Sequence, residues 1–164
     1  MKKVRTYIGI GSNLGDPRQQ VVDALKHLGQ IRNTSLEATS SLYLTEPVGD
    51  IPQDDYINAV VCLLTSLSPT ELLLELQAIE HAFYRQRVQG QQWAPRSMDL
   101  DIILYDTLHL QDSHLTIPHP EMQNRLFVLQ PLQEIAGDLY IPTLGSLQYM
   151  IQQAPATRIE KLAG

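Results

Sequence analysis

The order of elements in this chain predicts an α+β fold. It is a ferredoxin-like βαββαβ antiparallel sheet, extended by added C-terminal strands and helices into three α/β/α layers. Three observations predict it. Residues 4–105 read as strand, helix, strand, strand, helix, strand when apolar periodicity is followed along the chain. The third of these strands is nearly all apolar (Ile57, Ala59, Val60, Val61, Leu63, Leu64), as a central strand should be. Beyond Tyr105 come short helical patterns that can cover a second face. With 164 residues, 43% apolar and 18% charged, residues 1–164 are expected to form one domain around a full core.

Val4 to Ile10 is rich in β-formers and runs into a Gly/Ser/Asn/Gly turn, which marks a first strand. Asp16 and Pro17 begin a helix whose apolar face is Val21, Val22, Leu25 and Leu28, stopped at Gly29. Two strands are expected at 35–45 and 56–66, joined by a Pro/Gly/Asp connection. Ser68-Pro69-Thr70-Glu71 is a capping box, and Leu72, Leu73, Leu76, Ile79 and Phe83 give the buried face of the helix it opens. Residues 84–97 lose apolar periodicity and read as a loop. Met98 to Tyr105 is a strand. An extended pair follows (Leu108 to Leu110, Leu115 to Ile117), then short helices around Pro120 to Asn124, Phe127 to Ala136 and Leu144 to Gln153.

The net charge is −6, which disfavours a general nucleic-acid binder because such a surface needs an excess of Lys and Arg. No apolar run approaches the length of a membrane span. Lys2, Lys3 and Arg5 precede a short apolar stretch broken by Gly9 and Gly11, so a first strand is expected there, and the cytoplasm as location. Cys62 lies in an apolar run and reads as a buried strand residue.

The chemistry concentrates at Met98-Asp99-Leu100-Asp101-Ile102-Ile103-Leu104. Alternation puts Met98, Leu100, Ile102 and Leu104 on one strand face and Asp99 with Asp101 on the other. Two adjacent carboxylates are tolerated when solvated, or when a cation such as magnesium is shared with substrate phosphates. From His81 to Met98 the chain carries Arg85, Arg87 and Arg96 and no acidic residue, which suits an anion-binding lid. Carboxylates beside arginines match what a magnesium–polyphosphate complex requires. The same pair on such a sheet also fits a two-metal nucleotidyltransferase or cyclase. A non-catalytic ligand module would need neither feature. Gly9-Ile10-Gly11-Ser12-Asn13-Leu14-Gly15 fits neither dinucleotide nor Walker patterns and reads as a strand-to-helix turn. Trp93, in a polar stretch, suits ligand contact. Tyr56 and Phe127 read as core aromatics on their own, and Asn58, two residues after Tyr56, suits the edge of a planar heterocycle.

Together these segments resemble the 6-hydroxymethyl-7,8-dihydropterin pyrophosphokinase family of folate biosynthesis. The resemblance rests on the Tyr7–Gly15 block, Leu42-Tyr43 through Pro47-Val48-Gly49, and Tyr56-Ile57-Asn58-Ala59. It rests also on Trp93-Ala94-Pro95-Arg96-Ser97-Met98-Asp99-Leu100-Asp101-Ile102 and on Ile117-Pro118-His119 through Asn124-Arg125-Leu126-Phe127. It implies transfer of diphosphate from ATP to the pterin hydroxymethyl oxygen, with release of AMP. By this resemblance Asp99 and Asp101 hold two Mg2+ ions, and Arg85 and Arg96 stabilise the phosphates. Gln77, Glu80, Arg87, Ile102, His119 and Arg125 contact ATP. Tyr56 and Phe127 sandwich the pterin, Asn58 reads its edge, backbone near Thr45 and Val48 adds hydrogen bonds, and Trp93 closes over it. The expected partners are these small molecules alone, with no nucleic acid and no membrane, acting on a monomer. Three positions depart from the family pattern: Glu46 where proline is common, Val88 where a basic residue can occur, and Pro120 where tyrosine is frequent.

Overall fold

The computed structural model describes residues 2–13, 15–47, 54–88 and 98–163, the side chains of 85–88 excepted. The expected βαββαβ order is present, with its second strand divided into two. Strand β1 (Val4–Ser12) leads into helix α1 (Pro17–Gly29), strands β2 (Thr34–Thr39), β3 (Tyr43–Thr45) and β4 (Tyr56–Thr65), helix α2 (Pro69–Val88) and strand β5 (Met98–Tyr105). The additions are two small hairpins, β6 (Leu110–Gln111) with β7 (Thr116–Ile117) and β8 (Tyr140–Ile141) with β9 (Gly145–Ser146), helices α3 (Leu126–Ala136) and α4 (Leu147–Gln153), and a last strand β10 (Ile159–Lys161). A 3₁₀ turn spans Met122–Asn124.

The main sheet runs β10-β3-β4-β1-β5, with β2 also on β4, and every pairing in it is antiparallel. One face packs Ile8, Ile10, Val61 and Leu63 against Val21 and Leu28 of α1 and Leu72 and Leu76 of α2. The other face packs Val60, Ile103 and Leu104 against Val128, Leu129 and Leu132 of α3 and Leu147 and Met150 of α4. These are the three expected layers. Both helix starts are built as the sequence indicates. Asp16 Oδ1 accepts from the Gln19 N–H at 3.3 Å. The Ser68 N–H donates to Glu71 Oε1 at 2.9 Å while the Glu71 N–H donates to Ser68 Oγ at 3.2 Å.

Several boundaries differ from the expectation. β1 continues through Ser12, so the Gly9–Gly11 segment is strand and not turn. The stretch at 35–45 is two strands, both laid on β4. Helix α2 extends through Val88, so Arg85 and Arg87 lie on helical backbone where a loop was expected. The helix there persists past Phe83, the last residue of its regular apolar face. Val22 is exposed, and Ala24 takes its place in the core. Leu104 does not share a face with Met98, Leu100 and Ile102. Consecutive residues Tyr7 and Ile8 pair with Leu104 and Ile102, which leaves Ile103 as an extra residue, and this bulge turns Leu104 to the α3 side. Val48, Trp93 and Arg96 lie outside the described residues. Among the described residues no helix is long and apolar enough to cross a membrane.

Candidate active site

The site is built on the α3 face of the sheet, where three strands bring their side chains into rows. Gly11 of β1 stands opposite Asn58 of β4 on one side and Asp99 of β5 on the other. One step along, Gly9 stands between Val60 and Asp101. With strands spaced by about 4.8 Å, each row spans about 10 Å from β4 to β5 across a position with no side chain. The glycines therefore open a trough between Asn58 and the aspartates. A Cβ on Gly11 would sit 2.6 Å from Asn58 Oδ1, and one on Gly9 would sit 3.2 Å from Ile103 Cδ1.

A cavity of about 160 Å3 occupies this trough, lined by Thr45, Tyr56, Asn58, Asp99, Asp101, Arg125 and Phe127 together with the two glycines. Asn58 is buried, and its Nδ2 donates to Thr45 Oγ1 at 2.6 Å, which fixes the plane of the amide. Thr45 thus contributes a side chain that orients Asn58, where the sequence suggested backbone. Phe127 stands in the first turn of α3, and the Arg125 guanidinium carbon lies 5.7 Å from its ring centroid, within cation–π range. Gly9, Gly11 and Glu46 also line the cavity. Sequence reasoning did not assign them, and the available signal was two glycines spaced i, i+2 on one face of a strand.

A second groove, of about 290 Å3, lies along β5 and the β6–β7 hairpin. It is lined by Leu73, Leu100, Ile102, Leu115 and His119, and it shares Asp101 with the first cavity. His119 is held by its backbone N–H on Ile103 O at 2.9 Å, and its Nδ1 accepts from the Glu121 N–H at 3.1 Å. Burial foremost, and the Arg125 charge with it, hold its pKa below the ordinary histidine value, against the opposing pull of Asp101 and Glu121. The ring is therefore neutral near pH 7, with Nε2–H as its donor. Gln77 is exposed on α2 and lines neither cavity. Glu80 accepts from the Leu100 N–H at 2.7 Å, which satisfies a backbone donor of β5 between the two aspartates. Its carboxyl is pushed up to about 7, by burial first and by the charges of Asp99 and Asp101, against the opposing pull of the Leu100 N–H.

The chemistry of the donor set fits magnesium. Asp99 and Asp101 are half-buried hard-oxygen donors on the cavity wall. Among the described residues no cluster of three or more His, Cys, Asp or Glu could hold an ion. A pair of carboxylates is an incomplete cage that phosphate oxygens and water can complete, which is how magnesium is usually held.

The chain matches the family described as 7,8-dihydro-6-hydroxymethylpterin-pyrophosphokinase (HPPK) over residues 7–137. It is 44% identical over 159 residues to the 2-amino-4-hydroxy-6-hydroxymethyldihydropteridine pyrophosphokinase of Haemophilus influenzae, covering 97% of this chain and 98% of that protein. It is 41% identical over 160 residues to the Pseudomonas aeruginosa protein of the same name, with 98% of each covered. Among solved structures, Plasmodium falciparum HPPK-DHPS superposes with a TM-score of 0.72 at 12% identity, over 93% of this chain and 45% of that one. This chain thus spans less than half of that longer protein, and the likeness at such low identity bears on the fold. Sequence, fold and length agree: the chain belongs to the 7,8-dihydro-6-hydroxymethylpterin-pyrophosphokinase family.

Proposed function

We propose that the chain transfers the diphosphate group of ATP to the hydroxymethyl oxygen of 6-hydroxymethyl-7,8-dihydropterin, giving the pterin diphosphate and AMP, with two magnesium ions. As a member of its family it is an ATP-dependent diphosphotransferase. The observation that carries the finer reading is the place of Asp101, which lines both cavities. A pterin in the first and a nucleotide in the second would meet over the aspartates.

In this reading Asn58, oriented by Thr45, reads the heterocycle edge, and Tyr56 and Phe127 contact its faces. Ile102 and His119 line the nucleotide groove, where the neutral His119 can donate Nε2–H to a phosphate oxygen. Asp99 and Asp101 hold the metal, which when bound neutralises the triphosphate and makes the β-phosphorus more electrophilic. Arg125, at the entrance to α3, and Arg85, Arg87 and Arg96 meet the remaining phosphate charge. Val48 and Trp93 complete the pterin subsite. Glu80 supports β5 through Leu100, and Gln77 contributes at the far end of the nucleotide. The attacking oxygen is thereby placed in line with the β-phosphorus, so that positioning and charge stabilisation supply the rate. A monomer in the cytoplasm, working on small molecules alone, completes the proposal.

Incubation with ATP, magnesium and the pterin alcohol, followed by product analysis, tests it. AMP and a pterin diphosphate are expected in equal amounts. Release of inorganic diphosphate would instead identify a nucleotidyltransferase or cyclase. Asp101→Ala should abolish turnover while leaving the melting temperature near that of the parent, since the carboxylate faces the cavity and not the core.

A further inference from the structure

The C-terminal strand β10 forms one edge of the sheet and pairs with β3, Ile159 standing opposite Thr45, which lines the pterin cavity. The residue before it, Arg158, reaches both ends of the connection between β3 and β4. Its backbone N–H donates to Glu46 Oε1 at 3.0 Å, and its carbonyl accepts from the Glu46 N–H at 3.3 Å. Its Nη2 donates to both oxygens of Asp55, each at 2.9 Å. Glu46 directly follows Thr45 and lines the cavity. Asp55 directly precedes Tyr56, and Thr45 pairs with Tyr56. One arginine therefore ties together the two residues just beyond the last rung of the β3–β4 ladder.

We infer that Arg158 is a positioning residue for the pterin subsite, acting as a clamp on Glu46 and Asp55. The inference rests on the reading of Tyr56 and Asn58 as pterin-binding. Its physical basis is fraying. The Thr45–Tyr56 rung ends a three-residue strand, and such ends open readily. Opening it would release Tyr56 and the Thr45 hydroxyl on which the Asn58 amide depends. The clamp holds that rung from outside at the mouth of the connection. It also gives a role to Glu46, whose N–H serves the Arg158 carbonyl and whose carboxylate serves the Arg158 N–H.

The test compares the parent with Arg158→Ala, Arg158→Lys, Asp55→Asn and the Arg158→Ala/Asp55→Asn double variant. Readouts are the affinity for 6-hydroxymethylpterin by its fluorescence, with α,β-methylene-ATP and magnesium present, the affinity for that nucleotide alone, and the steady-state constants. Arg158 is well exposed, so the expected loss of pterin affinity in Arg158→Ala is modest, about twofold to fivefold. It should appear as a raised pterin KM with kcat and nucleotide affinity unchanged. Arg158→Lys should recover part of the loss, and the double variant should bind no worse than the weaker single one. Unchanged pterin affinity in Arg158→Ala would overturn the inference, as would equal losses for pterin and nucleotide alongside a lowered melting temperature. A parent protein that binds nucleotide but no pterin would overturn the reading of the subsite and the clamp with it.

Discussion

At the scale of single residues, the site depends as much on absent side chains as on present ones. Gly11 separates Asn58 from Asp99, and the gap it leaves is where the cavity opens. A Gly11→Ala methyl would lie 2.6 Å from Asn58 Oδ1, so the amide must turn and lose its bond to Thr45. Leaving polar ligand edges unpaired costs about 1–3 kcal/mol per group, so pterin affinity should fall tenfold or more while nucleotide affinity holds. Gly9→Ala meets only the flexible end of Ile103, at 3.2 Å, and should cost much less. Fluorescence titration of both variants checks this, and similar losses in the two would remove the special role given to position 11. The aspartate pair was legible in the sequence because period-two alternation places both carboxylates on one face. The glycines were not, because a residue without a side chain leaves no mark on an apolar pattern, and Gly-x-Gly before Ser-Asn reads as a turn. The role of Thr45 was hidden for another reason. Its hydroxyl acts across a strand pair, on a residue 13 positions away.

At the scale of elements, α3 brings Phe127 to the cavity from its first turn and Arg125 from its N-cap, and its far end is anchored by one carboxylate. Glu134 accepts from the Ser41 N–H at 3.0 and 3.1 Å, from Ser41 Oγ at 2.7 Å and from the Tyr43 hydroxyl at 2.7 Å, with Lys161 Nζ at 3.9 Å. The helix is thereby tied to β3 and β10. Partial burial works to raise the Glu134 pKa, but the Tyr43 and Ser41 hydrogen bonds outweigh it and hold the carboxyl below its ordinary value. A depressed carboxyl contributes stability above its unfolded pKa and loses it as the pH falls through the folded value. Glu134→Ala should therefore lower stability near pH 7 by about 1–3 kcal/mol. The gap between variant and parent should shrink on titration below the ordinary carboxylate range. Urea unfolding across that range is the measurement, and a gap independent of pH would assign the loss to packing alone. Both long helices were legible, since their caps and apolar faces repeat at fixed spacings. The end of α2 was misread because residues 84–88 offer no apolar period, and helical hydrogen bonding does not require one. β10 escaped notice because Ile159–Lys161 is too short to establish an alternation, and its partner β3 lies more than a hundred residues earlier.

At the scale of the whole molecule, one sheet serves as the wall of two cores. Neighbouring residues of β4 divide between them, Val61 facing α1 and α2 and Val60 facing α3 and α4. The ferredoxin-like half could be read from the sequence because local periodicity suffices for it. The path of the α3–α4 layer onto the second face could be inferred only from apolar residues needing cover. The bulge at Ile103 that turns Leu104 into that layer had no signal in the apolar run Ile102-Ile103-Leu104, which looks the same in either phase. Because the layers share strands β1, β4 and β5, removing apolar volume from either should weaken the whole sheet. Leu129 is fully buried in the α3 layer and Leu76 in the α2 layer. Truncation of a buried leucine costs about 2–5 kcal/mol. Leu129→Ala and Leu76→Ala should then each lower the urea midpoint in a single transition with the slope unchanged, and far-UV and near-UV circular dichroism should give coincident curves. An earlier near-UV transition confined to Leu129→Ala would mean that the α3–α4 layer detaches by itself. Phe127 and Arg125 would then be lost from the site before the βαββαβ half unfolds, and pterin binding would disappear at that first step.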